Sequence, residues 1–176
     1  NSPCSNATST MVLTIVPAAI ADAGVPDDVC EGSTYTLGGT SASNYSAIDW
    51  TSSGTGTWTN GTTLTPTYDP SAADILAGSV TLTLTAYGNS PCSDATSTMV
   101  LTIVPAAIAD AGLADDVCEG STYTLGGTSA SNYSAIGWTS SGTGTFNPTN
   151  TLTPIYTPSA ADILAGSVTL TLTAYG

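Results

Sequence analysis

The sequence is a near-perfect tandem repeat. Residues 1–88 and 89–176 align without a gap and differ at 11 positions, which are 6, 25, 26, 49, 58–62, 67 and 69. A period that covers the whole chain limits the fold severely, because each period must supply one copy of the same structural unit. A period of 88 residues is long enough for a small domain with its own core. We therefore expect repeats of one small domain, arranged in series.

The position of the domain boundary follows from a predicted hairpin. Residues 80–85 alternate Val or Leu with Thr, as half-buried strands do, and Met99, Leu101 and Ile103 repeat this spacing with Val100 and Thr102 on the opposite face. The segment 88–94 between them is rich in Gly, Asn, Ser and Pro, which favour turns. A cut at 88/89 would sever this hairpin. We therefore predict a trailing strand of a preceding repeat at 1–16, a complete repeat at 17–104 that opens at Pro17, and a second repeat at 105–176 that lacks its last strand.

The rest of the repeat contains further short elements. Residues 33–37 and 47–51 are strand candidates, with Trp50 as the core aromatic side chain. Ser71 is a helix N-cap candidate, with Gly78 closing a helix of one or two turns. Residues 58–62, where differences cluster, are predicted to form an exposed loop. About seven short strands, frequent turns and one core Trp predict an all-β fold of tandem antiparallel β-sandwiches, of immunoglobulin type.

The charged residues are all acidic. The chain has 13 Asp and Glu and no Lys, Arg or His, so its net charge is -13. Without cations there is no partner for phosphate, which excludes nucleic acid and anionic membranes as ligands. Without His there is no imidazole base for a Ser or Cys nucleophile, and without Lys there is no Schiff-base amine. We therefore predict no enzyme activity, no catalytic residues and no cofactor, and the short apolar runs predict no membrane insertion.

The four cysteines indicate an oxidising environment. With the boundary at 17–104, Cys30 and Cys92 belong to one domain, which predicts a disulfide between them. Cys4 and Cys118 would then pair with copies outside this segment. Two alternatives remain: a Cys4–Cys30 bridge, which follows from a domain over 1–88, and free thiols.

Two further features are candidate ligand sites. Asp22, Asp27, Asp28 and Glu31 lie close together near the start of the repeat, and the second copy has the same four acids. Such a cluster at a junction is either a calcium site or a solvated acidic loop, and its spacing does not match an EF-hand. Aromatic side chains and the variable segment 58–62 are candidates for stacking on a sugar, although most aromatics are better explained as core residues.

Four stretches of the repeat resemble a known family. These are 28–33 (DVCEGS), 50–56 (WTSSGTG), 68–75 (YDPSAADI) and 79–86 (SVTLTLTA), and they recur in the second copy with one change, Thr157 in place of Asp69. Together they resemble the PKD-like, immunoglobulin-fold repeats of giant cell-surface adhesins of gliding Bacteroidota, the SprB-like gliding-motility adhesins. The resemblance implies an extracellular, cell-surface location, type IX secretion and no catalytic residues.

The leading hypothesis is therefore a structural repeat of a filamentous cell-surface adhesin, used in gliding motility or surface attachment. Its expected partners are neighbouring repeats, other copies of the filament and surface polysaccharide. The alternatives are an array of carbohydrate-binding modules and a self-assembling sheath or surface-layer filament, in which one chain donates a strand to the next.

Overall fold

The computed structural model describes residues 3–4 and 6–176, and it is built almost entirely from short β-strands. The chain divides into a first compact unit that ends at Val104 and a second that runs from Pro105 to Gly176. Each unit carries one short helix and an all-β core. The two units are described separately.

The first unit contains nine strands and one helix in its described part. In chain order they are β1 (Ile20–Asp22), β2 (Asp27–Cys30), β3 (Tyr35–Thr36), β4 (Ser41–Ser43), β5 (Tyr45–Ser52), β6 (Thr57–Thr59), β7 (Thr67–Asp69), α1 (Ala72–Ala77), β8 (Ser79–Gly88) and β9 (Ala95–Val104). They form a four-stranded sheet in the order β2-β9-β8-β5, a three-stranded sheet in the order β3-β7-β6, and the pair β1-β4. The all-β repeat fold predicted from the sequence is confirmed.

The predicted hairpin is present and supplies the centre of the larger sheet. Strands β8 and β9 pair antiparallel from Ser79↔Thr102 to Ala86↔Ala95. β2 lies on the other edge of β9 and runs parallel to it, with Cys30 opposite Val104. The sheet is therefore mixed, and the prediction of a purely antiparallel sandwich needs this correction. The strand β9, which comes from the second 88-residue copy, is bonded on both sides.

One core joins the two larger sheets. Its largest fully buried side chains include Tyr68 from β7, Leu82 and Leu84 from β8 and Leu101 from β9. Their threonine and serine neighbours point outward, as the period-2 pattern requires. Trp50 is 3% exposed and its indole N–H donates to the carbonyl of Thr63 at 3.1 Å, which confirms it as a core residue.

The predicted helix has both of its predicted ends. The Ser71 side chain accepts from the Asp74 amide, and the Asp74 side chain accepts in return from the Ser71 amide, which makes a capping box. Gly78 ends the helix with φ of 75°, a left-handed conformation that glycine adopts without strain.

Two local predictions were wrong in part. Within the predicted strand 33–37, only Tyr35–Thr36 is a strand. Within the predicted loop 58–62, Trp58 lies in β6, and its ring lies 4.8 Å from that of Tyr68 and 5.7 Å from that of Trp50. The variable segment therefore begins inside the sandwich, and only its later part is a turn.

The second unit repeats most, but not all, of this architecture. Its elements are β10 (Ile108–Asp110), β11 (Tyr123–Thr124), β12 (Ser129–Ser131), β13 (Ala135–Ser140), β14 (Thr145–Asn147), β15 (Ile155–Thr157), α2 (Ala160–Ala165) and β16 (Leu170–Tyr175). The sheet that has four strands in the first unit has two here, β13 and β16. The chain contains no third copy of residues 95–104, and the counterpart of β2, residues 115–118, is not a strand.

Candidate functional site

The most distinctive surface of the described chain is a groove in the second unit. It has a volume of about 610 Å³ and is lined by residues 111–120 on one side and Val168, Thr169 and Leu170 on the other, with Leu125 and Tyr156 among its lining residues. In the first unit, the counterparts of these two sides are separated by β9. The groove therefore has the position of the strand that completes the four-stranded sheet.

Equivalent residues of the two units show how much burial this strand provides. Val29 is 8% exposed, whereas its counterpart Val117 is 43% exposed. Ala23 is fully buried, whereas Ala111 is exposed. Because the local sequences are nearly identical, the difference follows from the absence of a paired strand and not from a change of side chains. The groove is thus an apolar surface that the same sequence buries when a β9 segment lies beside it.

A segment with the required sequence lies at the other end of the chain. Residues 7–16 are identical to 95–104, which form β9. In the described structure they form no strand, and Met11, Val12, Leu13 and Ile15 are 75% to 93% exposed. An exposed apolar strand sequence and an open strand groove are complementary surfaces.

Asp74 is a buried carboxylate of the first unit that joins several segments of the chain, a role that the sequence analysis did not predict. It is 3% exposed, and its Oδ2 accepts from the hydroxyl of Tyr68 at 2.8 Å and from the amides of Gly56 at 2.9 Å and Ser71 at 3.0 Å. Its Oδ1 accepts from the amide of Thr55 at 3.0 Å. Asp162 makes the same set of contacts in the second unit.

These hydrogen bonds set the ionisation of the carboxylate. Burial alone would raise the pKa of Asp74, but the donated hydrogen bonds from Ser71, Thr55 and Tyr68 outweigh it and lower the pKa to about 2. The equivalent hydrogen bonds, of which the one from the Ser159 amide has the largest effect, lower the pKa of Asp162 to about 2. Each carboxylate is ionised and engaged on both oxygens, so it fastens the loop 52–56 or 140–144 to the short helix. Two sequence features indicate this role of Asp74. One is the capping box, and the other is Gly54, where a Cβ would overlap the Asp74 carboxylate.

The acids proposed for calcium are held by local contacts. Asp22 Oδ1 accepts from the Gly24 amide at 3.0 Å, and Asp27 Oδ2 accepts from the Tyr35 hydroxyl at 3.0 Å. The contact with Asp27 and burial raise the pKa of Tyr35 to about 12, with burial the larger cause. Among the described residues, no group of three or more acidic, Cys or His side chains lies close enough to hold a metal ion.

The structure does not bring together the two cysteines of the predicted disulfide. The four thiols are unpaired, and Cys30 and Cys92 lie at opposite ends of β9. Cys30 is opposite Val104, the last residue of that strand, whereas Cys92 precedes its first residue, Ala95. Ten residues of strand span about 30 Å. A disulfide requires Cα atoms within about 7 Å, so membership of one domain is not sufficient for pairing.

The aromatic residue of the variable segment 58–62, which was a candidate for sugar stacking, packs inside the sandwich. Trp58 is half-buried, and its ring contacts Trp50 on one side and Tyr68 on the other. Phe146 takes the same position in the second unit, 4.8 Å from Tyr156. The aromatic side chain at this position therefore completes the core.

Comparison with solved structures finds matches that include two protocadherin structures. The chain is similar to a protocadherin gammaB7 EC3-6 cis-dimer structure, with 11% identity, a TM-score of 0.39, and coverage of 89% of this chain and 46% of that one. It is also similar to protocadherin gamma B2 extracellular cadherin domains 3–6, with 14% identity, a TM-score of 0.38, and coverage of 90% and 43%. The chain thus spans less than half of each. No protein-family model matches it, and no curated protein matches it. In the described residues, no helix combines the length and apolar character needed to span a membrane.

Proposed function

We propose that this chain is a segment of a filamentous, extracellular cell-surface adhesin, in which immunoglobulin-like repeats act in series as a non-enzymatic mechanical stalk. The observation that carries the proposal is the origin of β9. This strand completes the first sheet, yet it belongs to the second 88-residue copy. Consecutive copies are therefore interlocked along the chain, and an array of them forms a continuous series of sandwiches.

Charge supports an extended arrangement. With 13 acidic side chains and no basic ones, neighbouring repeats repel each other over the Debye length of about 8 Å in physiological salt. Repulsion between repeats opposes collapse and clumping of a long array. The absence of Lys and Arg also leaves no site for trypsin-like proteases, which suits a protein exposed outside the cell.

The particular adhesin type is proposed from the sequence resemblance. The stretches 28–33, 50–56, 68–75 and 79–86 are similar to repeats of SprB-like gliding-motility adhesins. We accordingly assign the array to gliding motility or surface attachment, with type IX secretion as its export route. Neighbouring repeats of the same chain are its first partners, and surface polysaccharide is the substrate class proposed for the whole filament.

A self-assembling sheath is the second candidate, and one observation favours it. Segment 7–16 has the sequence of β9, so a strand of this sequence from one chain is able to take the place of β9 in the sandwich of another. Repetition of this contact would build a head-to-tail filament from separate chains.

Imaging of live cells with a labelled antibody against one repeat tests the adhesin proposal and separates it from the sheath. We expect the label to travel along the surface of the producing organism as it glides. An isotype-matched antibody is the control for non-specific labelling. A uniform, immobile coat or shed fibres would contradict the motility proposal and favour the sheath.

A further inference from the structure

We propose that Cys92 forms a disulfide with the counterpart of Cys30 in the repeat that precedes it, so that successive repeats are covalently stapled at each junction. This inference rests on the proposal that the chain is part of a tandem array. It replaces the bridge within one domain, which the length of β9 excludes.

The first observation is the position of the Cys92 thiol. Cys92 lies in the turn between β8 and β9, and its Sγ donates to the carbonyl oxygen of Val16 at 3.2 Å. These residues are 76 positions apart, so the contact is a tertiary one. It holds the thiol against the chain segment by which this repeat is connected to its predecessor.

The second observation is the position of Cys30 at the opposite end of the repeat. Cys30 lies beside Val104 in the parallel ladder, and the amide of the next residue, Glu31, donates to the carbonyl oxygen of Val104 at 2.8 Å. The Cys30 side chain points outward, since its neighbour Val29 is buried. The thiol is exposed at the point where the chain leaves the sandwich.

The repeat makes these two positions the same place. Val16 is the counterpart of Val104, 88 residues earlier. In an array, the carbonyl oxygen of this valine therefore accepts two donors. One is the backbone amide of the Glu31 counterpart in the preceding repeat, and the other is the Cys92 thiol of the following repeat. The two donor atoms are then no further apart than the sum of 2.8 Å and 3.2 Å. The Glu31 amide nitrogen is about 2.4 Å from the Cys30 Cα, and a cysteine Sγ is about 2.8 Å from its own Cα, so these contacts limit the Cα–Cα separation to about 11 Å at most. The proposal requires both donors to approach the carbonyl at an acute angle, which shortens this separation to the roughly 7 Å of a disulfide.

The segment that follows each valine is docked in the same way in both units. The side-chain amide of Asn44 donates to the carbonyl of Ala18 at 3.1 Å, and Asn132 donates to Ala106 at the same distance. Both asparagines have positive φ, 57° and 55°. The entry of the chain into a repeat is thus a reproducible feature, and a staple formed at one junction is expected at every junction.

The chemistry of the step requires an oxidant outside the chain. The two thiols lose two protons and two electrons and form one S–S bond. A small disulfide such as oxidised glutathione accepts the electrons and is reduced to two thiols. The pairing links cysteines of different repeats, so it adds a covalent connection in parallel with the backbone at the junction.

A head-to-tail fusion of two whole chains provides the test. One variant keeps only Cys118 of the first chain and Cys92 of the second, with every other cysteine changed to Ser. The matched control keeps only Cys118 of the first chain and Cys4 of the second, which is the pairing within one repeat. Both are equilibrated with oxidised and reduced glutathione, alkylated in denaturant and weighed intact.

We expect the first variant to lose both thiols with no glutathione attached, and the control to keep both as thiols or as glutathione adducts. Retention of both thiols in the first variant, or equal oxidation of the control, would overturn the proposal. Hydrogen exchange of the all-Ser fusion shows whether the completed second unit is folded. If the completed unit of the all-Ser fusion is protected from exchange but the first variant forms no disulfide, the disulfide proposal is refuted and the array proposal still holds.

Discussion

Extending the chain by a third copy of residues 89–104 is expected to turn the second unit into a complete sandwich. The added strand would pair with β16 and with residues 115–118, as β9 pairs with β8 and β2 in the first unit. It would bury the counterparts of Met99, Leu101 and Ile103, each of which contributes about 1.5–3 kcal/mol before the cost of ordering the strand. We expect amide exchange in β13 and β16 to slow by roughly 100-fold or more, equivalent to about 2.7 kcal/mol.

The matched control for this experiment carries the same extension with those three apolar positions changed to Ser. Its length and turn sequence are unchanged, so any protection that it confers does not come from core burial. Hydrogen exchange followed by mass spectrometry distinguishes β13 from β5 by Gly137 in place of Asp49. It distinguishes β16 from β8 in peptides that extend to Thr157, because residues 158–176 are identical to 70–88. Equal protection with the apolar and the serine extension would show that the groove does not accept the strand.

Asp74→Asn is expected to destabilise the first unit by about 2–4 kcal/mol, because it removes a buried charge that accepts four hydrogen bonds. An amide offers one acceptor oxygen, and its NH2 group faces donors that then have no partner. Hydrogen exchange of β8 and β9 in increasing urea measures the loss. Asp69→Asn is the control, since Asp69 is exposed and the second repeat has Thr157 there. Equal losses in both variants would contradict a special role for Asp74.

The same substitution changes the dependence of stability on pH. The pKa of Asp74 is lowered to about 2 in the folded state, against about 3.9 for an unfolded Asp. The stabilisation is therefore fully present above about pH 4 and is lost as the pH falls through 2. We expect the wild-type protein to lose stability across this window and Asp74→Asn to lack that part of the slope. Parallel pH profiles would show that another group controls the acid transition.

The features that were predictable from sequence are those with a repeated local signal. Alternation in 80–85 and 99–103 indicated β8 and β9, and their turn-rich connection indicated the hairpin. The spacing of Ser71, Asp74 and Gly78 indicated the helix and both of its ends. In each case the residues that carry the signal are also the residues that make the contact.

The features that were missed depend on contacts distant in sequence. β2 has one inward side chain, Val29, so it shows no alternation, and its parallel pairing depends on β9 more than 70 residues away. Variation at positions 58–62 predicts a loop, although Trp58 and Phe146 preserve an aromatic ring at the same place in the strands β6 and β14. Sequence patterns do not indicate which end of a ten-residue strand a cysteine occupies, so they do not show that Cys30 and Cys92 lie at opposite ends of β9.

The central claim is that each sandwich is completed by the first residues of the next 88-residue copy. Two polypeptides of equal length test it: residues 17–104, and residues 1–88. The polypeptide 1–88 contains the sequence of β9 as segment 7–16. In the whole chain this segment ends at Val16, beside the turn before β9, whereas β9 ends about 30 Å away, beside Cys30. It therefore cannot fill its own groove without displacing β1 and β2.

The most direct measurement is urea unfolding of these two polypeptides at low micromolar concentration, with sedimentation to confirm that each is monomeric. The account predicts a cooperative transition for 17–104. For 1–88 it predicts a loss of several kcal/mol or no cooperative transition, because the central strand of the larger sheet is absent. Equal stability of the two monomers would contradict the interlocked array.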